Sequence, residues 1–227
     1  MNLTPVQARI VGCLIEKEMT TPDNYPLTMN ALLSACNQTS NRSPVTRLDE
    51  ATVSNALENL RAVKIVRIVY SRSNRADKFR HVLDEALAVE PDILAVLSVL
   101  MLRGAQTASE LRSRTERLHP FADQEDVEDT LRRLASRQEP LVARLERQPG
   151  QKENRWAHLL GGNLAEVLAT ADQAATNGDD RPSLRVDRIA TLERSVEDLR
   201  ADFDRLRAAY RNLVARLGEP DETGPDG

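Results

Sequence analysis

A chain of 227 residues, 41% apolar and only 3% aromatic, has material for two small cores filled by Leu, Val and Ala. No stretch approaches about 18 consecutive apolar residues, so no membrane-spanning helix is expected. The net charge of −4 argues against a strong nonspecific polyanion binder, but it is unevenly spread. Residues 1–86 carry 11 Lys/Arg against 9 Asp/Glu, residues 87–160 carry 11 against 12, and residues 161–227 carry 9 against 14.

The first helix opens at Thr4-Pro5-Val6-Gln7. Thr with Gln three positions on is a capping box, and Pro5 suits the first helical position. Ile10, Leu14 and Ile15 form its apolar face. Thr20 to Pro26 ends it, and a second helix is expected over Thr28 to Cys36. The polar loop Asn37 to Pro44 is long for a connection in a compact domain, which suggests a role. Asp49 is an N-cap residue for a third helix running to Ala62. Ile65 to Tyr70 and Lys78 to Val82 read as strands, with Ser71 to Asp77 as the turn between them.

The same order then repeats. Pro91 to Leu102 is a strongly apolar helix closed by Arg103-Gly104, where glycine tolerates positive φ. A helix apolar nearly all round is buried on more than one side, either as a central core helix or at an interface. Thr107-Ala108-Ser109-Glu110 is a second capping box, for a helix to about Arg117. Asp123 caps a helix ending near Arg137. Leu141 to Leu145 and Arg155 to Leu159 read as strands around the Gln148-Pro149-Gly150 turn. Two details mark this as one unit written twice. The spacing Val53, Leu57, Leu60 recurs as Val127, Leu131, Leu134, and Phe79-Arg80-His81 recurs as Trp156-Ala157-His158.

Residues 163–185 read as a linker with a weak helix, and Asn177 to Ser183 has linker composition. Beyond it, Ile189, Val196, Phe203, Tyr210 and Leu217 alternate at heptad spacing with Leu192, Leu199, Leu206 and Leu213. This is a coiled-coil seam, and β-branched a positions with Leu at d favour a parallel pair. A homodimer is therefore expected. A trimer, an antiparallel pair, or a helix folded back on its own domains are the alternatives.

Three helices closed by a hairpin is the order of a winged helix, a relative of helix-turn-helix DNA readers. The expected fold is thus mainly α with small β-hairpins (α+β). It comprises tandem winged-helix domains over 1–86 and 87–162, a coiled-coil helix over 186–217, and a disordered tail over 218–227. Ile10 to Lys17, followed by Thr20-Thr21-Pro22-Asp23-Asn24-Tyr25-Pro26-Leu27, resembles the YceH family of uncharacterised bacterial proteins. So does Leu102-Arg103-Gly104-Ala105-Gln106-Thr107, continuing to Glu110-Leu111-Arg112-Ser113-Arg114. The resemblance covers about residues 4–160. It implies a tandem winged-helix fold and no particular activity.

In a winged helix the third helix commonly enters the major groove and the hairpin touches adjacent backbone. With Val53, Leu57 and Leu60 inward, Thr52, Asn55 and Asn59 share a solvent-facing stripe, and Asn can pair bidentately with adenine. Arg61, Lys64, Arg67, Arg72, Arg75, Lys78 and Arg80 lie near it, against Asp77. The expected double-stranded DNA site is Thr52, Asn55, Asn59, Arg61, Lys64, Arg72 and Arg75. Asp49, Glu50 and Glu58 on the same helix count against it. In the second copy, Glu125, Asp126, Glu128 and Asp129 make the third helix a poor partner for phosphate and a better protein contact.

The leading expectation is a dimeric DNA-associated regulator. The alternative is an adaptor that docks a protein partner through Asn37 to Pro44, the Asn24-Tyr25-Pro26 turn and the acidic helix. No nucleophile–base pair is evident, so the chain is not expected to be an enzyme. Cys13 and Cys36 read as buried, reduced thiols, and His81, His119 and His158 share no metal-ligand spacing with them, so neither metal nor cofactor is expected. The N-terminus lacks an export pattern, which points to the cytoplasm.

Overall fold

The computed structural model describes residues 1–70, 76–147 and 151–161, together with Phe203 and Arg207. Among these residues the chain is a mixture of α-helices and small antiparallel sheets, an α+β structure. Contacts divide it into two compact units, Met1–Asn177 and Gly178–Gly227. The boundary expected at 86/87 lies inside the first of these.

Helix α1 (Pro5–Thr20) begins where the sequence places it. The Thr4 hydroxyl accepts from the Gln7 N–H at 3.3 Å, and the Thr4 N–H donates to Gln7 Oε1 at 2.9 Å. A two-residue strand β1 (Leu27–Thr28) leads into α2 (Met29–Cys36), which Thr28 caps through the Ala31 N–H. Helix α3 (Glu50–Ala62) starts on the Asp49 carboxylate, which accepts from the Thr52 N–H at 2.8 Å. Strands β2 (Val66–Val69) and β3 (Lys78–His81) pair antiparallel, with Ile68 opposite Phe79. The sheet order is β1-β3-β2. A short helix α4 (Leu83–Leu87) follows.

The second copy has α5 (Pro91–Arg103), α6 (Ala108–Thr115), α7 (Gln124–Ala135), β4 (Val142–Arg144) and β5 (Trp156–His158). Gly104 closes α5 at φ 74°, where a side chain would be strained. Thr107 and Glu110 form the expected reciprocal cap. The likeness of the two copies extends to a detail the sequence pattern does not display. Gln106, just before α6, bridges Trp156 in β5 through N–H···O bonds of 2.9 and 2.7 Å. Leu27, just before α2, stands opposite Phe79 in β3 in the same way.

The copies meet where α1 packs on α5. Residues Ala8–Ile15 of α1 and Ile93–Leu102 of α5 are buried without interruption. Gly12 is the point of closest approach. A Cβ there would stand 3.0 Å from Leu102 Cδ2 and 3.2 Å from Met101 Cβ. The buried Ser98 hydroxyl donates to the Gly12 carbonyl at 3.0 Å, so that side chain is satisfied inside the seam. Main-chain bonds from Ser43 to Leu102 (2.9 Å) and from Leu3 to Leu160 (2.6 Å) lace the copies further.

The long loop after α2 is held by two polar devices. Asn37 acts as a substitute peptide, donating from Nδ2 to the Leu48 carbonyl at 2.8 Å and accepting from the Leu48 N–H at 2.7 Å. Arg42 plugs the interior. Its side chain is fully buried and grips both oxygens of Glu16 at 3.1 and 2.6 Å. It also donates to the Ala35 carbonyl and to Gln38 Oε1. Cys13 and Cys36 are buried and unbridged. The neighbouring Cys13 thiol and burial push the Cys36 thiol well up.

Gly12→Val should lower stability by about 1–3 kcal/mol in urea unfolding, because the added methyls have no room between the helices. Gly12→Ala should cost less than Gly12→Val, since a single methyl meets Leu102 Cγ at 3.0 Å and Met101 Cβ at 3.2 Å but brings a helix-propensity gain of about 1 kcal/mol. Arg42→Ala should cost about 3–5 kcal/mol, because it strands the Glu16 carboxylate. Arg42→Lys should not restore the loss, since an ammonium lacks the planar fork.

Candidate nucleic-acid interface

Helix α3 presents two flanks beside its buried edge of Val53, Ala56, Leu57 and Leu60. Thr52, Asn55 and Asn59 are all exposed and lie three or four residues apart on one flank. Thr52 lies on the N-cap of its own helix, Asp49, and holds that carboxyl below its usual range. The amides of Asn55 and Asn59 have no protein partner among the described residues. The other flank borders a groove of about 370 Å³ between α3 and the sheet. Glu50, Glu58 and Asp77 line that groove together with Arg61. Glu50 and Glu58 thus stand on the groove side with Arg61, whereas Asp49, the third carboxylate counted against phosphate, heads the amide stripe and holds the Thr52 N–H.

Exposed Arg61 and Lys64 sit at the C-terminal end of α3, and neither makes an ion pair among the described residues. Lys64 occupies the turn into β2 at φ 60°. Arg72 and Arg75, the expected hairpin contacts, lie outside the described residues. Arg67 and Arg80 behave differently from the sequence picture of a free cationic hairpin. They are direct cross-strand neighbours, a like-charge pair that costs stability on its own. Glu85 of α4 reaches between them, at 2.9 Å from Arg67 Nη2 and 3.3 Å from Arg80 Nη2. One carboxylate therefore offsets two of the cations counted in the sequence. Sequence reading passed over Glu85 because α4 was not expected.

The second copy shows the acidic helix face as expected. Glu125, Asp126 and Asp129 of α7 are exposed. Arg132 is held by Glu128 and Asp129, and Arg133 by Asp92 at 2.6 Å. What the sequence reading missed is the opposite wall. A cavity of about 560 Å³ beside α7 is also lined by Arg144, Arg147, Lys152 and Trp156 of the hairpin region. Arg155 is not available to it, since Glu110 holds it through both oxygens at 2.9 and 3.2 Å.

The features named for a docking surface are partly turned inward. Arg42 is buried as described, and the Tyr25 hydroxyl accepts from the His81 N–H at 2.8 Å. His81 itself is buried, with Nε2 2.5 Å from Glu18. Of the heptad seam, only Phe203 lies among the described residues; it is helical and 63% exposed. The remaining seam positions, Ile189, Leu192, Val196, Leu199, Leu206, Tyr210, Leu213 and Leu217, lie outside them. No group of three or more His, Cys, Asp or Glu side chains among the described residues is placed to hold a metal ion. No helix among them is long and apolar enough to cross a membrane.

The fold is thus an α+β arrangement of two like-ordered motifs packed through α1 and α5. The family described as "Protein of unknown function, DUF480" matches residues 3–151. A UPF0502 protein of Pelobacter propionicus is 48% identical over 219 residues, covering 90% of this chain and 99% of the relative. One from Geobacter sulfurreducens is 49% identical over 199 residues, covering 87% and 90%. One from Cupriavidus taiwanensis is 42% identical over 217 residues, covering 95% and 87%. The chain belongs to the UPF0502 family, which is the YceH family that its motifs resemble.

Glu85→Ala should change stability by less than about 1 kcal/mol in urea unfolding, because all three side chains of that cluster are well exposed and screened. A loss as large as that expected for Arg42→Ala would mean that the cross-strand arginines depend on Glu85 far more than their exposure implies.

Proposed function

We propose that this protein is a DNA-associated regulator, not an enzyme, built on two winged helices in tandem and paired through its C-terminal heptads. The observation that carries the reading is the exposed amide pair Asn55 and Asn59 on the third helix of the first copy, unpartnered among the described residues, with Lys64 in the turn after the helix and Arg61 on its groove flank. Such a stripe has the chemistry to read base edges, while the cations hold the backbone. The exposed Phe203 at a seam position supports self-association. Two first-copy contacts joined in a dimer would gain about 10²–10⁴ in affinity where the geometry permits both.

A protein-docking role is the second reading, and one observation favours it. Glu85 occupies Arg67 and Arg80, leaving fewer free cations beside α3 than on a typical phosphate-binding face. In that case the exposed carboxylates of α7 are the contact surface.

Fluorescence anisotropy with duplex pools at several salt concentrations separates the two. Three phosphate contacts would give a log–log salt slope of about −2.7. Arg61→Ala/Lys64→Ala should flatten the slope by about 2. Asn55→Ala/Asn59→Ala should leave the slope alone and reduce discrimination between sequences by about 1–3 kcal/mol for each amide pairing lost. Glu85→Ala should tighten binding and steepen the slope by releasing two guanidinium groups. Micromolar protein that ignores duplex at low salt transfers the case to docking.

A further inference from the structure

A cavity of about 370 Å³ lies against the start of α1, the chain around Pro44, the end of α5 and strand β5. Its size falls at the lower end of the range usual for small-molecule sites. Val6, Leu48, Leu100 and Met101 give it a largely apolar wall. Four polar side chains interrupt that wall: Arg9, Ser43, His158 and Thr46, whose hydroxyl donates to the Cys36 carbonyl at 3.2 Å.

Arg9 is unusual for a cation. It is 5% exposed, and no Asp or Glu is among the described residues that line the cavity. Its Nη2 donates to the Pro44 carbonyl at 2.6 Å, but Nη1 is sealed from solvent with no acceptor among the described residues. Glu16 acts on Arg9 only through space, its two oxygens being held by Arg42. A buried guanidinium with an unmet donor is destabilising, and an anion supplied from outside offsets that cost. The second group repeats the pattern. His158 Nδ1 is buried without a partner. Burial pushes the His158 pKa down to about 4, so the ring is neutral and can present one N–H.

We propose that this cavity binds a small organic carboxylate with a hydrophobic body, its carboxylate toward the Arg9 guanidinium and the His158 ring and its body along Val6, Leu48, Leu100 and Met101. One buried positive charge matches one negative charge. The apolar walls exclude a hydrated inorganic anion as the best occupant, and the buried guanidinium excludes an amine. The inference is independent of the DNA reading and stands or falls without it.

Isothermal titration of the full chain tests it with octanoate as probe and acetate, 1-octanol and octylamine as comparisons. Octanoate should bind saturably at one site per chain, and acetate, octanol and octylamine should each bind at least about tenfold more weakly. Arg9→Met should weaken octanoate by about 30-fold or more, as expected for loss of one partner of a buried ionic contact. Val6→Trp keeps the arginine and fills the cavity from the half-buried Val6 position, so it should abolish octanoate binding while circular dichroism shows an intact fold. If Arg9→Met fails to fold, Val6→Trp and the comparison with octanol decide. Octanol binding as tightly as octanoate, octanoate binding unaffected by Val6→Trp, or no saturable octanoate binding at millimolar concentration would each overturn the proposal.

Discussion

The structure turns on the close approach of two helices that belong to different copies of the same motif. Gly12 lets the backbone of α1 come within van der Waals distance of the Leu102 side chain on α5. Ser98 then donates to the Gly12 carbonyl at the point of approach. Each helix is buried on every side over more than two turns, a condition no single three-helix motif can provide. The two copies are therefore halves of one core rather than beads on a string. The common core runs from Leu3 through Ile10 and Leu14 to Leu97, Leu131 and Leu160.

A seam of this kind has to deal with the polar chain ends and loops that surround it. Two arginines do so, in opposite ways. Arg42 is drawn inside and met on all sides, by Glu16, by the Ala35 carbonyl and by Gln38. Arg9 is drawn inside as far and met on one side only. On the outer surface, Arg67 and Arg80 share one glutamate across a sheet. These three settings rank the same side-chain chemistry by its surroundings. A paired buried charge holds the fold, a half-paired buried charge marks a cavity, and a solvated pair contributes little to stability.

Much of the fold could be read from the chain because its helix starts are local. Thr4 with Gln7, Asp49, Thr107 with Glu110, and Asp123 each bind backbone within three residues, so a single sequence displays them. The hairpin strands were visible from their apolar runs, to within a residue or two. What stayed hidden depends on partners distant in sequence. Strand β1 is two residues long and exists only because Leu27 meets Phe79. Helix α4 is a single turn or so, too short for periodicity to reveal, and with it went Glu85. Nothing nearby in the sequence announces the burial of Arg9 and Arg42. On the candidate surface, exposure of Thr52, Asn55 and Asn59 followed from the helical phase of Val53, Leu57 and Leu60. The share of cation charge neutralised beside them did not.

The side chain of Asn37 carries a consequence of its own. It imitates a peptide group toward Leu48, giving a proton with one atom and receiving one with the other. Hydrolysis of that amide to a carboxylate would keep the shape and remove the giver, setting an anionic oxygen against the Leu48 carbonyl. The loop that this clasp fastens is the one that delivers Arg42 to Glu16. Chemical ageing at one exposed-to-buried border residue would therefore loosen the interior from its edge, without a single apolar contact having changed.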